Sequence, residues 1–356
     1  MRFSTLSCVG FRNLKQVDIN FGSKFVVFSG ENGSGKTSLL EALYFLAHAR
    51  SFRVSNLKKL ICHDSDLFSV FSRLSEQGVT VGIERDGAGK QRIRFDGETL
   101  SGIAPVAQAL PLQFLDTDAH RMLASSPANR RSFLDWGVFH VEHSFAKEWQ
   151  LYQKILRQRN FALKSCAPRL ELDAWTEQLA VSGDKITQCR ERYVEDFSGT
   201  FEKLWQDLMP GFIVPNLQFS RGWSGSDLSS ALYENLDQDK RYGYTTVGPH
   251  RSDLKIEQNN RSIFDFFSQG QQKSLMYALK VAQGLFLKQK TGKDVVYLID
   301  DLPAELDQMR LGLVLNVLQQ HASQVFVTAI DKGLVFDSLG SDCCFFNVSG
   351  GVVESC

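Results

Sequence analysis

The segment GENGSGKT, residues 30–37, has the residue types and spacing expected of a phosphate-binding loop. Its three glycines let the backbone pass close to a phosphate with N–H groups pointing inward, at the positive end of a helix. An apolar strand over 25–28 precedes the loop and helix-spaced leucines follow it, which is the context of a P-loop. The residues predicted to contact nucleotide here are Gly30, Glu31, Asn32, Gly33, Ser34, Gly35, Lys36, Thr37 and Ser38.

Two side chains of this loop have distinct predicted roles. Lys36 is expected to reach the β- and γ-phosphates of a nucleoside triphosphate, and so to act in catalysis as well as in binding. The hydroxyl of Thr37 is a predicted ligand of Mg²⁺. The sequence therefore predicts a site for ATP and Mg²⁺.

A second carboxylate-bearing segment, VVYLIDD, ends in Asp300 and Asp301. Its apolar run predicts a buried parallel strand that delivers both aspartates at its carboxyl end. We expect Asp300 to hold Mg²⁺ through water, and Asp301 to act as the general base towards the attacking water. Alternatively, an aspartate that only caps the next helix would give the same sequence pattern. Because aspartate is one methylene shorter than glutamate, slow hydrolysis is predicted.

A further helix start lies in FSQGQQKS, residues 267–274. Ser268 is placed to cap the helix and Gly270 permits close backbone approach, so an anion would also be stabilised here. A plain capped helix explains the same pattern.

The elements around these segments alternate between two patterns. Period-two apolar residues over 15–21, 79–83 and 93–95 predict strands, with Asp86 and Gly87 in a hairpin turn, and hence an antiparallel sheet. Helical stripes fill residues 141–209 and end before Pro210 and Gly211. The predicted fold is an α/β, P-loop ABC-type ATPase head with an antiparallel β subdomain and an inserted compact helical lobe. Its predicted divisions are 1–125, the N-terminal head; 126–210, the lobe; and 211–356, the C-terminal head.

Composition narrows the class of protein further. The 356 residues contain 40 Lys plus Arg and 40 Asp plus Glu, so any contact with nucleic acid must come from local patches. The seven cysteines form no C-x-x-C pair, so neither zinc nor a disulfide framework is indicated. We find no signal peptide and no membrane-length apolar run, and expect a cytoplasmic protein without a membrane partner.

The order of P-loop, Ser268 and Asp300 resembles that of P-loop, signature motif and Walker B strand in ABC-type ATPases. That resemblance implies that Ser268, with Gly270 and Gln271, contacts the triphosphate bound by a second copy, so that ATP drives homodimerisation. It also implies that Gln113 is a metal ligand in a Q-loop, and that Thr328 stands where transporter subunits carry a histidine. The corresponding D-loop interface residues are Ala304, Glu305, Leu306 and Asp307.

Further blocks along the chain are similar to the RecF family. They are FRNL (11–14), PANRRSFLDWGVFH (127–140), QRNFAL (158–163), GPHRSDL (248–254) and LIDDLPAELD (298–307). The resemblance implies a weak, DNA-stimulated ATPase that dimerises on DNA at single-strand gaps or junctions. It also implies action with RecO and RecR in placing RecA, in replication-fork recovery and in SOS induction.

Basic clusters provide the candidate DNA contacts, by neutralising backbone phosphates. They are Arg50, Arg53, Lys58, Lys59, Arg130 and Arg157. A solvated helix face or an internal ion pair explains any one of them equally well. His250 and Arg251 are interpreted as structural or interfacial residues.

Two other functions compete with a DNA clamp. One is an SMC-like or OLD-type ATPase that regulates a nuclease, which would need a further carboxylate cluster. The other is an energising subunit of a transporter, which the long separation between P-loop and Ser268 disfavours.

Overall fold

A computed structural model describes residues 1–74, 78–115, 123–301, 308–330 and 343–355. The chain divides into two compact units, residues 1–119 with 273–356, and residues 120–272. In the described residues, no helix combines the length and the hydropathy that crossing a membrane requires.

The first unit contains a six-stranded sheet made of β3 (Phe25–Ser29), β8 (Leu112–Leu115), β12 (Val296–Ile299), β13 (Gln324–Ala329), β14 (Cys343–Ser349) and β15 (Val352–Ser355). Their order in the sheet is β15-β14-β3-β13-β12-β8. All neighbours are parallel except β14 and β15. Every residue of β3, β12 and β13 is buried, which explains why these strands are mostly apolar. Because these strands are parallel, their carboxyl ends share one edge of the sheet.

The predicted antiparallel sheet is also present in this unit. Its strands are β1 (Thr5–Phe11), β2 (Leu14–Asn20), β4 (Leu67–Arg73), β5 (Thr80–Asp86), β6 (Gln91–Phe95) and β7 (Glu98–Leu100). Their order is β2-β1-β4-β5-β6-β7. Val17 and Ile19 face the core, as do Val81 and Ile83, so the period-two interpretation is confirmed.

The helices of the first unit cover its sheets. They are α1 (Lys36–His48), α2 (Ala104–Ala109), α8 (Gln269–Thr291), which starts in the second unit, and α9 (Gln308–His321). Leu39, Leu40 and Leu43 of α1 are fully buried, as their spacing predicted. Helix α1 starts directly after the glycine-rich loop, so the positive end of its dipole lies at that loop.

The second unit is mainly helical. It contains α3 (Pro127–Val141), α4 (Phe145–Lys164), α5 (Arg169–Leu208), α6 (Leu228–Glu234), α7 (Leu236–Tyr242), and the small sheet of β9 (Asn216–Ser220), β10 (Asp253–Gln258) and β11 (Arg261–Ser262). The predicted stripes on α4 and α5 are buried, except that Trp149 is half-buried. This unit is longer than the lobe predicted at 126–210, because α6, α7 and the sheet belong to it too.

Two fully buried arginines join the long helices of this unit to neighbouring segments, and one of them reaches GPHRSDL. On α4, Arg159 donates to Asp239 (2.7 Å) and to Thr245 (2.7 Å). On α5, Arg190 donates twice to Asp135, and to the carbonyl oxygen of Pro249 (2.7 Å). Buried charges of this kind need such partners to offset desolvation.

The histidine of that segment has a structural environment, in agreement with its interpretation from the sequence. His250 Nε2 donates to the carbonyl oxygen of Thr245 (3.0 Å), which leaves Nδ1 to accept from the hydroxyl of Tyr152 (2.7 Å). Burial lowers the pKa of His250 to about 4, against the opposing effect of the bond to Thr245. The ring is therefore neutral at pH 7.

Candidate nucleotide-binding site

The loop between β3 and α1 has the backbone that its glycines predicted. Gly30 and Gly35 adopt φ angles of 148° and 122°, which residues other than glycine rarely adopt. A Cβ atom at Gly30 would lie 2.2 Å from the carbonyl oxygen of Val348, so the close approach itself requires glycine. Asn13 supports the loop, donating to the carbonyl oxygen of Ser34 (3.3 Å) and accepting from Ser38 (2.8 Å).

Lys36 folds over this loop. Its Nζ donates to the carbonyl oxygens of Gly30 (2.6 Å) and Glu31 (2.9 Å). Burial lowers the pKa of Lys36 from its ordinary value, and the nearby carboxylates of Asp301 and Asp300 oppose that shift. An anion in the loop would supply the charge partner that the two carbonyls replace only in part.

The predicted metal residues meet at the common edge of the parallel strands. The Thr37 hydroxyl donates to Asp300 (3.1 Å to Oδ1), although the two residues are 263 positions apart. Thr328, at the end of β13, donates to the same carboxylate (2.6 Å) and accepts from the backbone N–H of Asp301 (2.8 Å). Asp301 itself has a left-handed backbone, with φ 53°. Thr328 thus fixes both aspartates, a structural role that comparison with a transporter histidine did not predict.

These residues border one cavity of about 640 Å³, which is within the usual size range of ligand pockets. Its lining is Arg12, Asn13, Asn32, Gly33, Gly35, Lys36, Thr37, Ser38, Arg53, Lys59, Ile61, Asp300, Asp301, Thr328 and Ile330. The sequence placed Arg53 and Lys59 among DNA contacts, whereas the structure places them on the wall of this cavity.

A buried carboxylate on α1 holds part of that wall. Glu41 is fully buried and accepts two hydrogen bonds from Arg12, both 2.8 Å. Ser51 also donates to Glu41, and the guanidinium of Arg53 lies 3.9 Å from it. The tight turn between β1 and β2 positions Arg12, so the FRNL block was the available sequence signal for this residue.

The structure does not bring Gln113 to the cavity. Its side chain is buried in the middle of β8 and donates to Gln283 of α8 (3.0 Å). Because β8 is covered on both faces, Gln113 turns towards the helix and not towards the carboxyl edge where Asp300 lies. We therefore leave it out of the metal site.

Ser268 begins α8 as predicted. Its Oγ accepts from the backbone N–H of Gln271 (3.3 Å), and its own N–H donates to the Gln271 side chain (2.8 Å). This reciprocal pair is a capping box. Ser268, Gln269 and Gly270 are all exposed. The predicted D-loop residues Ala304, Glu305, Leu306 and Asp307 lie outside the described residues.

The remaining DNA candidates differ in their surroundings. Arg50, Lys58 and Arg157 are exposed. Arg130 is half-buried and makes two hydrogen bonds to Asp253, of 2.8 and 2.7 Å. Its charge is already paired inside the second unit, so we do not retain Arg130 as a DNA contact.

The site fits a nucleoside triphosphate and Mg²⁺. A side chain at Gly30 would collide with Val348 and one at Gly35 would crowd Asn13, so the loop backbone is bare where a phosphate would approach. The buried hydroxyl of Ser34 has no hydrogen-bond partner among the described atoms. Thr37 and Asp300 offer the hard oxygen atoms that Mg²⁺ prefers.

Comparison with known proteins identifies the family. The sequence model described as "RecF/RecN/SMC N terminal domain" matches residues 2–343. The chain is 43% identical over 324 residues to the DNA replication and repair protein RecF of Coxiella burnetii, covering 90% of each chain. It is 37% identical over 362 residues to RecF of Vibrio cholerae, covering 99% of each.

Solved structures agree with this result. The recombination mediator protein RecF with ATP, from the RecFOR pathway, superposes with a TM-score of 0.88 at 25% identity, covering 99% of both chains. An Smc head bound to the C-winged helix domain of ScpA gives 0.60 at 16% identity, covering 100% of this chain and 98% of that one, and so shares the fold. The ATPase head architecture predicted from the sequence is thereby confirmed, and the chain belongs to the RecF family of DNA replication and repair proteins, within the RecF/RecN/SMC class of ATPases.

Proposed function

We propose that ATP joins two copies of this chain into a clamp on DNA near single-strand gaps, and that slow hydrolysis releases the clamp. The observation that carries this proposal is the exposed, capped start of α8 at Ser268. The exposed N-terminus of a helix, with its partial positive charge, suits a phosphate supplied from outside the protomer. In the clamp, Ser268, Gly270 and Gln271 of each copy contact the γ-phosphate held by the other copy's P-loop.

The residues of the first unit divide the chemistry of hydrolysis. Lys36 exchanges its carbonyl partners for phosphate oxygens and stabilises the charge that develops on them. Mg²⁺, when bound by Thr37 and Asp300, neutralises phosphate charge. Asp301 accepts the proton of the attacking water, with its backbone held by Thr328. The short side chain of Asp301 accounts for slow turnover.

Membership of the RecF family supports the biological setting of this clamp. We propose that DNA stimulates the weak ATPase, that RecO and RecR are its partners in the cytoplasm, and that the assembly loads RecA, supporting fork recovery and SOS induction.

The test is the mass of the protein in solution with and without ATP and gapped DNA. When ATP and DNA are both present, wild type should form a complex whose mass equals two copies of the chain plus the DNA. Ser268→Ala should bind ATP yet remain monomeric, whereas Lys36→Ala should lose ATP binding itself. Asp301→Asn should accumulate as a dimer that dissociates slowly.

Ser126→Ala is the matched control, because Ser126 caps α3 through the same type of bond, from Asn129 N–H. Loss of either cap costs about 1 kcal/mol of stability. If Ser126→Ala and Ser268→Ala dimerise equally, Ser268 is only a cap and the clamp mechanism fails. Cleavage of labelled gapped DNA in Mg²⁺ or Mn²⁺ would instead favour a nuclease function.

A further inference from the structure

Two exposed tyrosines form a parallel pair on the second unit. Tyr242 ends α7 and Tyr244 follows two residues later, with ring centroids 5.7 Å apart and planes 18° from parallel. Their exposed fractions are 51% and 41%. The guanidinium of Arg251 lies 5.5 Å from the centre of the Tyr244 ring. An exposed aromatic pair beside a cation offers ring faces on which a planar group can stack and a positive charge next to them.

The backbone that carries the pair is held rigidly. Between the tyrosines, Gly243 has φ 72° and its N–H donates to the carbonyl oxygen of Asp239 (2.8 Å). Both the N–H and the hydroxyl of Thr245 donate to Asn160 on α4, at 2.8 and 2.7 Å. The fully buried Arg159 joins the same residue to Asp239. A ligand would therefore meet rings whose backbone is already ordered.

Positive charge borders the pair on α4. Lys164 runs alongside Gly243, since a Cβ atom there would lie 3.2 Å from its Cγ. Lys154, Arg157 and Phe161 are exposed on the same face of the helix as Lys164, and this row extends for about 15 Å. Helix α7 adds exposed Lys240 and Arg241, together with one acidic neighbour, Asp237.

We propose that this aromatic-basic surface, defined by Arg157, Phe161, Lys164, Tyr242, Tyr244 and Arg251, binds a single strand of nucleic acid. Bases stack on the exposed rings while the cations neutralise the backbone, which is how single strands are bound without sequence preference. Duplex DNA would not use the rings, because its bases are already stacked on one another. The proposal rests on the proposed DNA clamp and assigns to this surface the unpaired strand of a gap.

The experiment measures fluorescence anisotropy with a labelled 30-nucleotide oligo(dT) and a blunt 30-base-pair duplex. The double variant Tyr242→Ala/Tyr244→Ala should bind oligo(dT) at least about tenfold more weakly, with little change on the duplex. The variant Tyr242→Phe/Tyr244→Phe retains both rings and should bind like wild type. Phe212→Ala is the matched control, because Phe212 is 41% exposed and follows the far end of α5.

Salt dependence tests the charged part of the surface. Replacing Lys164 and Arg251 together by alanine removes two cations beside the rings. If each neutralises one phosphate, the slope of log affinity for oligo(dT) against log salt should fall by about 1.4. An unchanged slope would overturn their assignment to the strand.

The outcomes separate this surface from the clamp. Equal binding of oligo(dT) by wild type and the alanine pair overturns the surface, as does equal weakening on oligo(dT) and duplex. Binding of the duplex but not of oligo(dT) by wild type overturns the surface and leaves the clamp standing. Binding of neither probe overturns the surface, whereas the clamp is decided by the mass measurement with ATP and gapped DNA. If the alanine pair binds oligo(dT) normally but fails to dimerise with ATP, the rings form a protein interface and the proposal is wrong.

Discussion

Arg12 and Glu41 in the first unit form the same bidentate pair as Arg190 and Asp135 in the second. The surroundings of the two arginines differ. Arg12 lines the nucleotide cavity, whereas Arg190 is fully buried and continues to the carbonyl oxygen of Pro249. One pair therefore borders space that a ligand can enter. The other joins α5 to α3, and its arginine also bonds to the GPHRSDL segment.

The comparison teaches that an arginine–carboxylate pair does not by itself indicate function. The guanidinium beside a cavity can exchange partners when a phosphate enters, because water and ligand reach it. The guanidinium inside the helical unit cannot, because every approach to it is packed. The same chemistry thus serves a site in one unit and specifies a fold in the other.

The largest expected effect comes from breaking an arginine–carboxylate pair in which both side chains are fully buried, such as Arg159 and Asp239. Arg159→Met leaves the carboxylate of Asp239 buried without its charge partner, and should lower the free energy of unfolding by about 3–5 kcal/mol. Urea denaturation followed by circular dichroism measures this. The double variant Arg159→Met/Asp239→Leu removes both charges and should recover part of the loss. If Arg159→Met is as stable as wild type, the pair is not what holds α4 to α7.

The burial of His250 also predicts that the free energy of unfolding depends on pH. Its folded-state pKa of about 4 lies below the ordinary value of about 6.5, so the unfolded chain binds the extra proton first. The free energy of unfolding should therefore fall as the pH decreases from about 6.5 to about 4, by up to about 3 kcal/mol, and then level off.

His250→Gln isolates this contribution from that of the other histidines. The variant is destabilised at neutral pH by its lost hydrogen bonds, but its stability should depend less on pH between 7 and 4. Parallel curves for wild type and variant over that range would show that His250 takes up its proton without cost.

The pair of Arg12 and Glu41, which lies beside the nucleotide cavity, should be less costly to break. Arg12→Met leaves Glu41 with Ser51, with Arg53 at 3.9 Å and with water in the cavity, so the expected loss is about 1.5–3 kcal/mol. Urea denaturation beside Arg159→Met gives the comparison directly. A loss as large as that of Arg159→Met would mean that the cavity does not solvate Glu41, and the contrast between the two units would disappear.

Local chemistry made much of the first unit predictable. The loop at 30–37 needs glycine for its φ angles, and the buried strand before Asp300 needs an unbroken apolar run. Both elements can therefore be recognised from the sequence. Parallel strands bring their carboxyl ends to one edge by geometry alone, which is why Thr37 and Asp300 could be paired across the chain.

Pairings that depend on packing were not predictable in the same way. Arg159 and Asp239 are 80 positions apart, and nothing in their spacing selects this pair over other charges. The sequence predicted Arg130 as a DNA contact, but its charge is paired with Asp253, which is 123 positions away. The second unit also extends beyond residue 210, because its small sheet packs there through long-range contacts that periodicity does not encode.

Replacing Gln113 should have the smallest effect on stability. It also tests a feature that periodicity does not predict, the direction in which a buried strand residue points. In a strand covered on both faces, alternation gives no sign of which way a side chain points. The hydrogen bond of Gln113 to Gln283 is a neutral, closed counterpart of the arginine pairs. Gln113→Leu should therefore cost about 1 kcal/mol of stability and leave the Mg²⁺ concentration for half-maximal ATP hydrolysis unchanged. Asp300→Asn, measured beside it, should raise that concentration; an equal rise for Gln113→Leu would return Gln113 to the metal site and show that strand β8 shifts when nucleotide binds.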